Sequence, residues 1–297
     1  MKYDRGWRCN SPCQNLGHSD CRPVLCVYLA RLRKLMRPPV FGDCHICGAH
    51  TKLSFEHNPP EKAFNDNAIL LADVQKLRSG CHPDLYEEGG RKNQRGLGKF
   101  TLCESCNNKT GHWYGTAYVK FAKQGMGYLQ ASRYASSFLL SFRIHPLRLI
   151  KQIMCMFMSA NGPKFQGAQQ DLVRFVLNPD IRHLPSHLRL FAFYSIGDRS
   201  RSSGVSGVLK GYGTESPENY VFSEFTFPPF GYVLTFNCPA PDSRLVDISY
   251  LADDFAYKEE RTIWLRLPVL PIFTFYPTDY RNRDQVLKDA EQNLADL

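Results

Sequence analysis

Two Cys-x-x-Cys pairs are the residues of this 297-residue chain whose spacing most clearly indicates chemistry. The first pair is Cys44 and Cys47, followed directly by Gly48, and the second pair is Cys103 and Cys106. Each pair can supply half of a tetrahedral zinc site, and two pairs complete a set of four thiolates. We therefore predict that these cysteines hold one structural zinc ion, which would bring two distant segments together.

Three polar residues beside these pairs could act on a phosphodiester bond. Glu56 and His57 end a short segment between the pairs, and Asn107 directly follows the second pair. A histidine with a near-neutral pKa can take a proton from water. A divalent cation can neutralise a phosphate and its leaving oxygen, and Mg²⁺ prefers oxygen ligands such as carboxylates. The three residues therefore supply one candidate base and two candidate metal ligands.

The combined pattern, from Cys-His-Ile-Cys through Ser-Phe-Glu-His-Asn-Pro-Pro to Cys-Glu-Ser-Cys-Asn-Asn, resembles the HNH endonucleases over about residues 41 to 131. These are ββα-metal nucleases with a four-cysteine zinc site. The resemblance implies a metal-dependent endonuclease that hydrolyses DNA, with RNA as an alternative substrate. By position, it implies that His57 is the general base and that Glu56 and Asn107 bind catalytic Mg²⁺ or Mn²⁺.

The sequence departs from the family pattern at three positions. Glu56 stands where Asp is commoner, and Asn107 stands where His is an alternative, with Asn108 as a second candidate ligand. The place usually taken by the middle Asn of the motif is Gly98 here. Asn93 is the nearest candidate for that role. Asn107 also suits a helix cap, because Asn favours that position.

The elements that must position these residues follow the order strand, loop, strand, knuckle and helix. We predict one strand over Thr51–His57, ended by Pro59 and Pro60, and a second over Lys99–Cys103. A helix should follow Cys106, because Tyr114, Tyr118 and Phe121 would then share one face. We also expect a helix over residues 64–78 and a loop over 79–98.

The predicted loop carries Arg91, Lys92 and Arg95. Positive charge on a loop suits phosphate contacts, which need little fixed geometry. We therefore treat these three residues as a candidate nucleic-acid-binding group. A solvated surface loop is the alternative interpretation.

The fold class predicted is α+β, in three parts. Residues 1–35 form a basic extension that contains Cys9, Cys13, His18, Cys21 and Cys26. Three interpretations stay open for it: a second zinc module, a disordered segment, or a stretch before a natural start at Met36. Residues 36–131 form the zinc-stapled ββα-metal (HNH) domain. Residues 132–297 form a separate α+β, β-rich domain of unknown role. Its predicted helices cover 145–158, 168–177 and a tail over 279–297, and its strands cover 188–194, 205–209, 220–227, 231–236, 262–267 and 272–275.

Composition and charge bound the class of protein. The net charge is +9, of which residues 1–35 contribute +5 from seven Lys or Arg against two Asp. A polyanionic partner is therefore only modestly favoured for the rest of the chain. No apolar run reaches the length of a membrane span and no secretory signal is visible, which predicts a reducing, cytoplasmic location without a membrane partner.

Two other classes compete with the nuclease. The first is a non-catalytic, zinc-dependent nucleic-acid-binding or assembly protein, which would need the four cysteines but not Glu56, His57 and Asn107 together. The second is a thiol oxidoreductase, which is weaker because no βαβ pattern precedes either Cys-x-x-Cys pair. The sequence leaves the oligomeric state open.

Overall fold

The computed structural model describes residues 38–71, 91–131, 136–197, 199–210 and 218–295. Val40–Leu297 form one compact unit of mixed α+β structure. Its helices, in chain order, are α1 (Glu104–Thr110), α2 (Thr116–Ala131), α3 (Pro146–Asn161), α4 (Pro163–Ala168), α5 (Gln170–Leu177) and α6 (Arg283–Ala295). A π-helical segment, Gly111–Gly115, joins α1 to α2, and a 3₁₀ turn covers Ser249–Ala252.

The strands form three sheets. Their bounds are β1 Phe41–Asp43, β2 His50–His57, β3 Ile69–Leu71, β4 Arg91–Asn93, β5 Gly98–Cys103, β6 Ser137–Ile144, β7 Leu188–Ile196, β8 Arg201–Lys210, β9 Glu218–Phe227, β10 Phe230–Phe236, β11 Val246–Asp247 and β12 Arg261–Pro271. The small sheet has the order β1-β2-β5, and β3 pairs with β4. The large sheet has the order β6-β12-β7-β10-β9-β8, with β11 beside β7.

The small sheet delivers both halves of the candidate site. Strand β2 pairs antiparallel with β5, so that His57 lies opposite Gly98 and Leu53 lies opposite Cys103. The two prolines after His57 have no backbone N–H to continue the ladder, and β2 ends there. Helix α1 starts directly after β5, with the Cys103 sulfur accepting the Cys106 N–H at 3.4 Å as its N-cap.

Helix α3 lies at the centre of the molecule. Thirteen of its sixteen residues are buried, because it packs against α2, α5 and the large sheet together. Its N-terminal Pro146 has a fixed φ and lacks the N–H that a first-turn position leaves unpaired. One hydrophobic core includes Leu102, Phe121, Ile153 and Leu234, and therefore runs across the predicted domain boundary at residue 131.

A buried ion pair fastens the segment after β12 to the large sheet. Arg201 and Glu224, on neighbouring strands, are 5% and 0% exposed and meet at 2.7 Å. The Arg201 guanidinium also donates to the backbone carbonyls of Thr274, Tyr276 and Asp279. Burial raises the pKa of Glu224, and the charge of Arg201 opposes that shift.

Several predicted elements differ from the structure. The predicted helix 64–78 is absent where the structure describes these residues: residues 64–68 are turn or irregular, residues 69–71 form β3, and residues 72–78 lie outside the described residues. The predicted loop 79–98 contains β4, because Arg91–Asn93 pair with β3. Residues 272–275 do not form a strand, since β12 continues through Pro271 and ends there. Strand β6 was not predicted.

The division at residue 131 stays a prediction, although the core is continuous across it. The predicted extension 1–35, with its five possible zinc ligands, lies outside the described residues. No helix in the described ranges is long and apolar enough to cross a membrane.

Candidate active site

The four predicted zinc ligands come together. The sulfur atoms of Cys44, Cys47, Cys103 and Cys106 all lie within 4.8 Å of one another. A tetrahedral zinc ion with Zn–S bonds of about 2.3 Å requires sulfur–sulfur distances of about 3.8 Å. The Cys47 and Cys103 sulfurs are 3.8 Å apart, which fits a shared metal and is too long for a disulfide. These four residues could therefore hold one zinc ion.

The local structure explains why the cysteines converge. Cys44 and Cys47 lie in the turn between β1 and β2, and Gly48 closes that turn with φ at +74°. Cys103 ends β5, and Cys106 lies in the first turn of α1. A hydrogen bond from the Cys106 thiol lowers the pKa of Cys44 to about 4, and that same bond raises the pKa of Cys106. Metal ligation requires thiolates, so a zinc ion bound here would displace the thiol protons.

Glu56, His57 and Asn107 line one cavity of about 460 Å³. Strand β2 supplies Glu56 and His57, and α1 supplies Asn107. The cysteine cluster lies before the start of β2 and in the first turn of α1, directly next to Asn107. The structure thus brings together the three residues that the sequence singled out.

The carboxyl group of Glu56 is buried without a cationic partner. Its residue is 7% exposed, Thr101 Oγ1 donates to Oε2 at 3.3 Å, and no basic side chain in the described ranges pairs with it. Burial raises the pKa of Glu56 to about 8, against hydrogen bonds from Ser159 and Thr101 that lower it. Without a cation, Glu56 therefore favours its protonated form, and a metal ion could take the place of that proton.

The Asn107 side chain is held in one orientation. Its Nδ2 donates to Ser54 Oγ at 3.0 Å and to the Phe55 carbonyl at 3.3 Å. Both contacts use the nitrogen and neither uses the carboxamide oxygen. Asn107 therefore locks α1 to β2 and can still offer an oxygen ligand. Asn108 is exposed and does not line the cavity.

His57 is half-buried at the end of β2. Its ring contacts the Phe55 ring edge-on, with 5.0 Å between centroids. Gly98, opposite His57, could not carry a side chain, since a Cβ there would lie 2.4 Å from the Glu56 carbonyl oxygen. The position expected for the middle Asn of the motif is therefore closed to any larger residue.

Asn93 does not take that middle role in the structure. It lies on β4, its Oδ1 accepts the Arg95 N–H at 3.2 Å, and it is not part of the cavity lining. The residue that organises this region is Asn65, which is 1% exposed. Its Nδ2 donates to the carbonyls of Pro59 and Leu97, and its Oδ1 accepts the Leu97 N–H at 2.6 Å. Asn65 thereby ties the chain after His57 to the chain before β5.

The predicted basic loop reaches the cavity through one residue. The Arg95 guanidinium lies 3.8 Å from the centroid of Phe55, which lines the cavity. Lys92 is exposed on β4, and the Arg91 side chain lies outside the described residues. Lys62, not singled out by the sequence, is exposed and lines the cavity.

Helix α3 also braces the site. Asn58 Nδ2 donates to the Met156 carbonyl at 2.9 Å, and His45 Nδ1 bonds to the Ser159 carbonyl. The Ser159 hydroxyl meets Thr101 Oγ1 at 2.7 Å. These contacts were missed from the sequence, because nothing in the local pattern couples residues about 100 positions apart. Their only signal was the polar residues inside an otherwise apolar helix.

The π-helical segment also shapes the cavity. Gly111 and Gly115, at its two ends, both line it and leave room there. The wider turn frees the Trp113 carbonyl, which accepts Arg148 Nε at 2.7 Å. Such segments occur often at functional sites. His112 is exposed on this segment, as expected for a surface residue.

Comparisons of the chain with protein-family models, with curated proteins and with solved structures each found no match.

Proposed function

We propose that this protein is a metal-dependent endonuclease of the HNH type that hydrolyses phosphodiester bonds in DNA. The observation that carries the proposal is the single cavity lined by Glu56, His57 and Asn107 beside the four-cysteine cluster. A zinc-binding module without catalysis has no need of an imidazole, a buried carboxyl group and an oriented carboxamide in one cavity. The support comes from the residues and their geometry alone.

In this proposal, Glu56 and an oxygen of Asn107 would hold Mg²⁺ or Mn²⁺. The cation would neutralise the charge that develops on the phosphate and on the leaving oxygen. The fit rests on Glu56, whose buried carboxyl lacks a cationic partner in the described ranges. Structural zinc at the cysteine cluster would fix β5 and α1, and with them Asn107.

His57 would act as the general base. Its imidazole takes one proton from a water molecule while the water oxygen bonds to phosphorus, and the bond from phosphorus to the leaving oxygen breaks. The leaving oxygen then gains a proton from solvent. Phe55 contacts the imidazole edge-on and so restricts its orientation.

Charge at the cavity rim suits an anionic substrate. Arg95 over the Phe55 ring and Lys62 on the lining place two cations near the cavity, and Glu61 on the lining adds one opposing charge. Phosphate contacts of this type fix position rather than sequence. DNA is proposed as the substrate because the resemblance to the HNH endonucleases implies it, and RNA is the alternative to be compared with it.

A nicking assay tests the proposal. Supercoiled plasmid is incubated with zinc-loaded protein and Mg²⁺ or Mn²⁺, with His57→Ala as the test variant and His112→Ala as its matched control. We expect His57→Ala to lower the cleavage rate by at least about 100-fold, as for loss of a general base. His112→Ala should cut like wild type, because the exposed His112 is next to the lining residue Gly111 but does not itself line the cavity. Equal cutting by wild type and His57→Ala, or no cutting of any DNA or RNA, would reject the enzyme in favour of a zinc-dependent binding protein.

A further inference from the structure

A buried amide in the cavity wall has no partner. Gln152, on α3, is 4% exposed, lines the cavity, and its Oε1 makes no hydrogen bond. Buried polar side-chain atoms in proteins are nearly always paired with protein or ordered water. An unpaired one beside a cavity therefore marks a place where something else supplies the hydrogen bond.

The position of Gln152 on α3 relates it to the proposed catalytic residues. Met156 and Ser159 follow it by one and two helical turns, so the three residues lie on one face. Met156 O accepts from Asn58, the residue after His57, and Ser159 bonds to Thr101, which donates to Glu56. This face of α3 is therefore the face turned toward the end of β2.

A glycine lies beside the amide. An added Cβ at Gly115 would lie 3.8 Å from Gln152 Oε1, which is an ordinary van der Waals distance, so the two positions are neighbours. Gly115 itself lines the cavity. The amide and the glycine thus form one wall of the space that Glu56 and Asn107 face.

We infer that Gln152 is a positioning residue that accepts a hydrogen bond from a water molecule on the catalytic cation. The inference rests on the proposed function. Mg²⁺ and Mn²⁺ sites with few protein ligands keep several waters, and those waters need acceptors. A neutral amide oxygen supplies one without adding a buried charge. Outer partners of this type commonly change metal affinity by about 10–100-fold.

Mn²⁺ binding measured by electron paramagnetic resonance tests this directly, with zinc-loaded protein and no nucleic acid. The test variant is Gln152→Leu, and the control is Gln170→Leu, the same substitution at an exposed position on α5. We expect Gln152→Leu to weaken Mn²⁺ binding by about 10–100-fold and Gln170→Leu to leave it unchanged. Gln152→Glu keeps an acceptor oxygen and should bind Mn²⁺ at least as tightly as wild type.

Three outcomes overturn the inference. If wild type and Gln152→Leu bind Mn²⁺ equally, Gln152 plays no part in the cation site, and the proposed function still stands. If Gln152→Leu binds Mn²⁺ normally but loses affinity for uncleaved oligonucleotide in a His57→Ala background, the amide contacts substrate instead. If wild type binds no Mn²⁺, both proposals fall. Should Gln152→Leu lose zinc or unfold, Gln152→Met, with an unbranched side chain, is measured in its place and must show the same weakening.

Discussion

At the scale of single residues, Glu56 has the most unusual environment in the candidate site. Its carboxyl group lies under β5 and α3 with hydroxyl partners and no cation in the described ranges. A carboxyl in such a place holds its proton more tightly than in water. An unpaired carboxylate is unfavourable in this environment. Glu56 would therefore be a strong ligand for a divalent cation, which replaces the proton.

The pKa of Glu56 predicts how stability depends on pH. The folded-state pKa is about 8 and the ordinary value is 4.5. Between these values the folded state binds more protons than the unfolded state. The contribution of Glu56 to the free energy of unfolding is therefore complete below pH 4.5 and is lost as pH rises through 8. In urea unfolding without Mg²⁺ or Mn²⁺, we expect wild type to lose a few kcal/mol relative to Glu56→Gln between pH 5 and pH 8.5. Parallel pH profiles for the two proteins would contradict the assignment.

At the scale of elements, the loops at the end of β2 and the start of β5 depend on Asn65. It satisfies three buried backbone groups with one side chain. Gly96, just before Leu97, has φ at +71°, and a Cβ there would lie 2.3 Å from the Asn65 carbonyl oxygen. This close approach explains why the chain can turn there only with glycine.

Replacing Asn65 should therefore destabilise the region around His57. Asn65→Ala removes the partners of Pro59 O and Leu97 N and one of the two donors to Leu97 O, which keeps the Asn58 N–H, and we expect a loss of about 2–4 kcal/mol in the free energy of unfolding. Asn67→Ala, two residues away and exposed, should change it by less than about 0.5 kcal/mol. Equal denaturation midpoints for the two variants would show that the Asn65 side-chain hydrogen bonds contribute nothing to stability.

The ion pair between β8 and β9 acts on a longer segment. Arg201→Leu removes the charged partner of Glu224 and one donor to each of three carbonyls, those of Thr274, Tyr276 and Asp279, so we expect a loss of about 3–5 kcal/mol. The exposed pair of Arg189 and Asp247 is the matched comparison, and Arg189→Leu should cost at most about 1 kcal/mol. Chemical denaturation separates the cases. If the double variant Arg201→Leu with Glu224→Leu proves no more stable than Arg201→Leu alone, the cost does not come from an unpaired buried charge.

At the scale of the whole molecule, the cysteine cluster and α3 both hold the site. The cluster joins β1, β5 and α1, and α3 bonds to Asn58, Thr101 and His45. Metal loss should therefore disturb the cavity although the cysteines do not line it.

Cys106→Ser tests this dependence. We expect it to lose one equivalent of zinc, measured by elemental analysis, and to lower the melting temperature by several degrees, because structural zinc contributes folding free energy. Cys238→Ser is the control, since Cys238 is half-buried beside Val221 and outside the cluster. Identical zinc content in Cys106→Ser and wild type would exclude this cluster as a zinc site.

The sequence by itself determined the features that depend on local spacing. The two Cys-x-x-Cys turns, the strand that ends at two prolines, and a helix starting beside the second pair all follow from a few neighbouring residues. The four cysteines, Glu56, His57 and Asn107 were therefore found where the structure brings them together. Helix 64–78 was wrongly predicted at residues 69–71, because pairing with β4 overrides a local helical preference.

Only the tertiary structure decided which distant residues complete the cavity. Gln152, Ser159 and Asn65 are ordinary polar residues in the sequence, and their roles depend on how α3 and two loops pack around β2. The closure of position 98 is likewise a steric consequence of the Phe55 ring and the Glu56 carbonyl. Long-range packing selects one arrangement among many that the same local preferences allow, and so it is not visible in residue spacing.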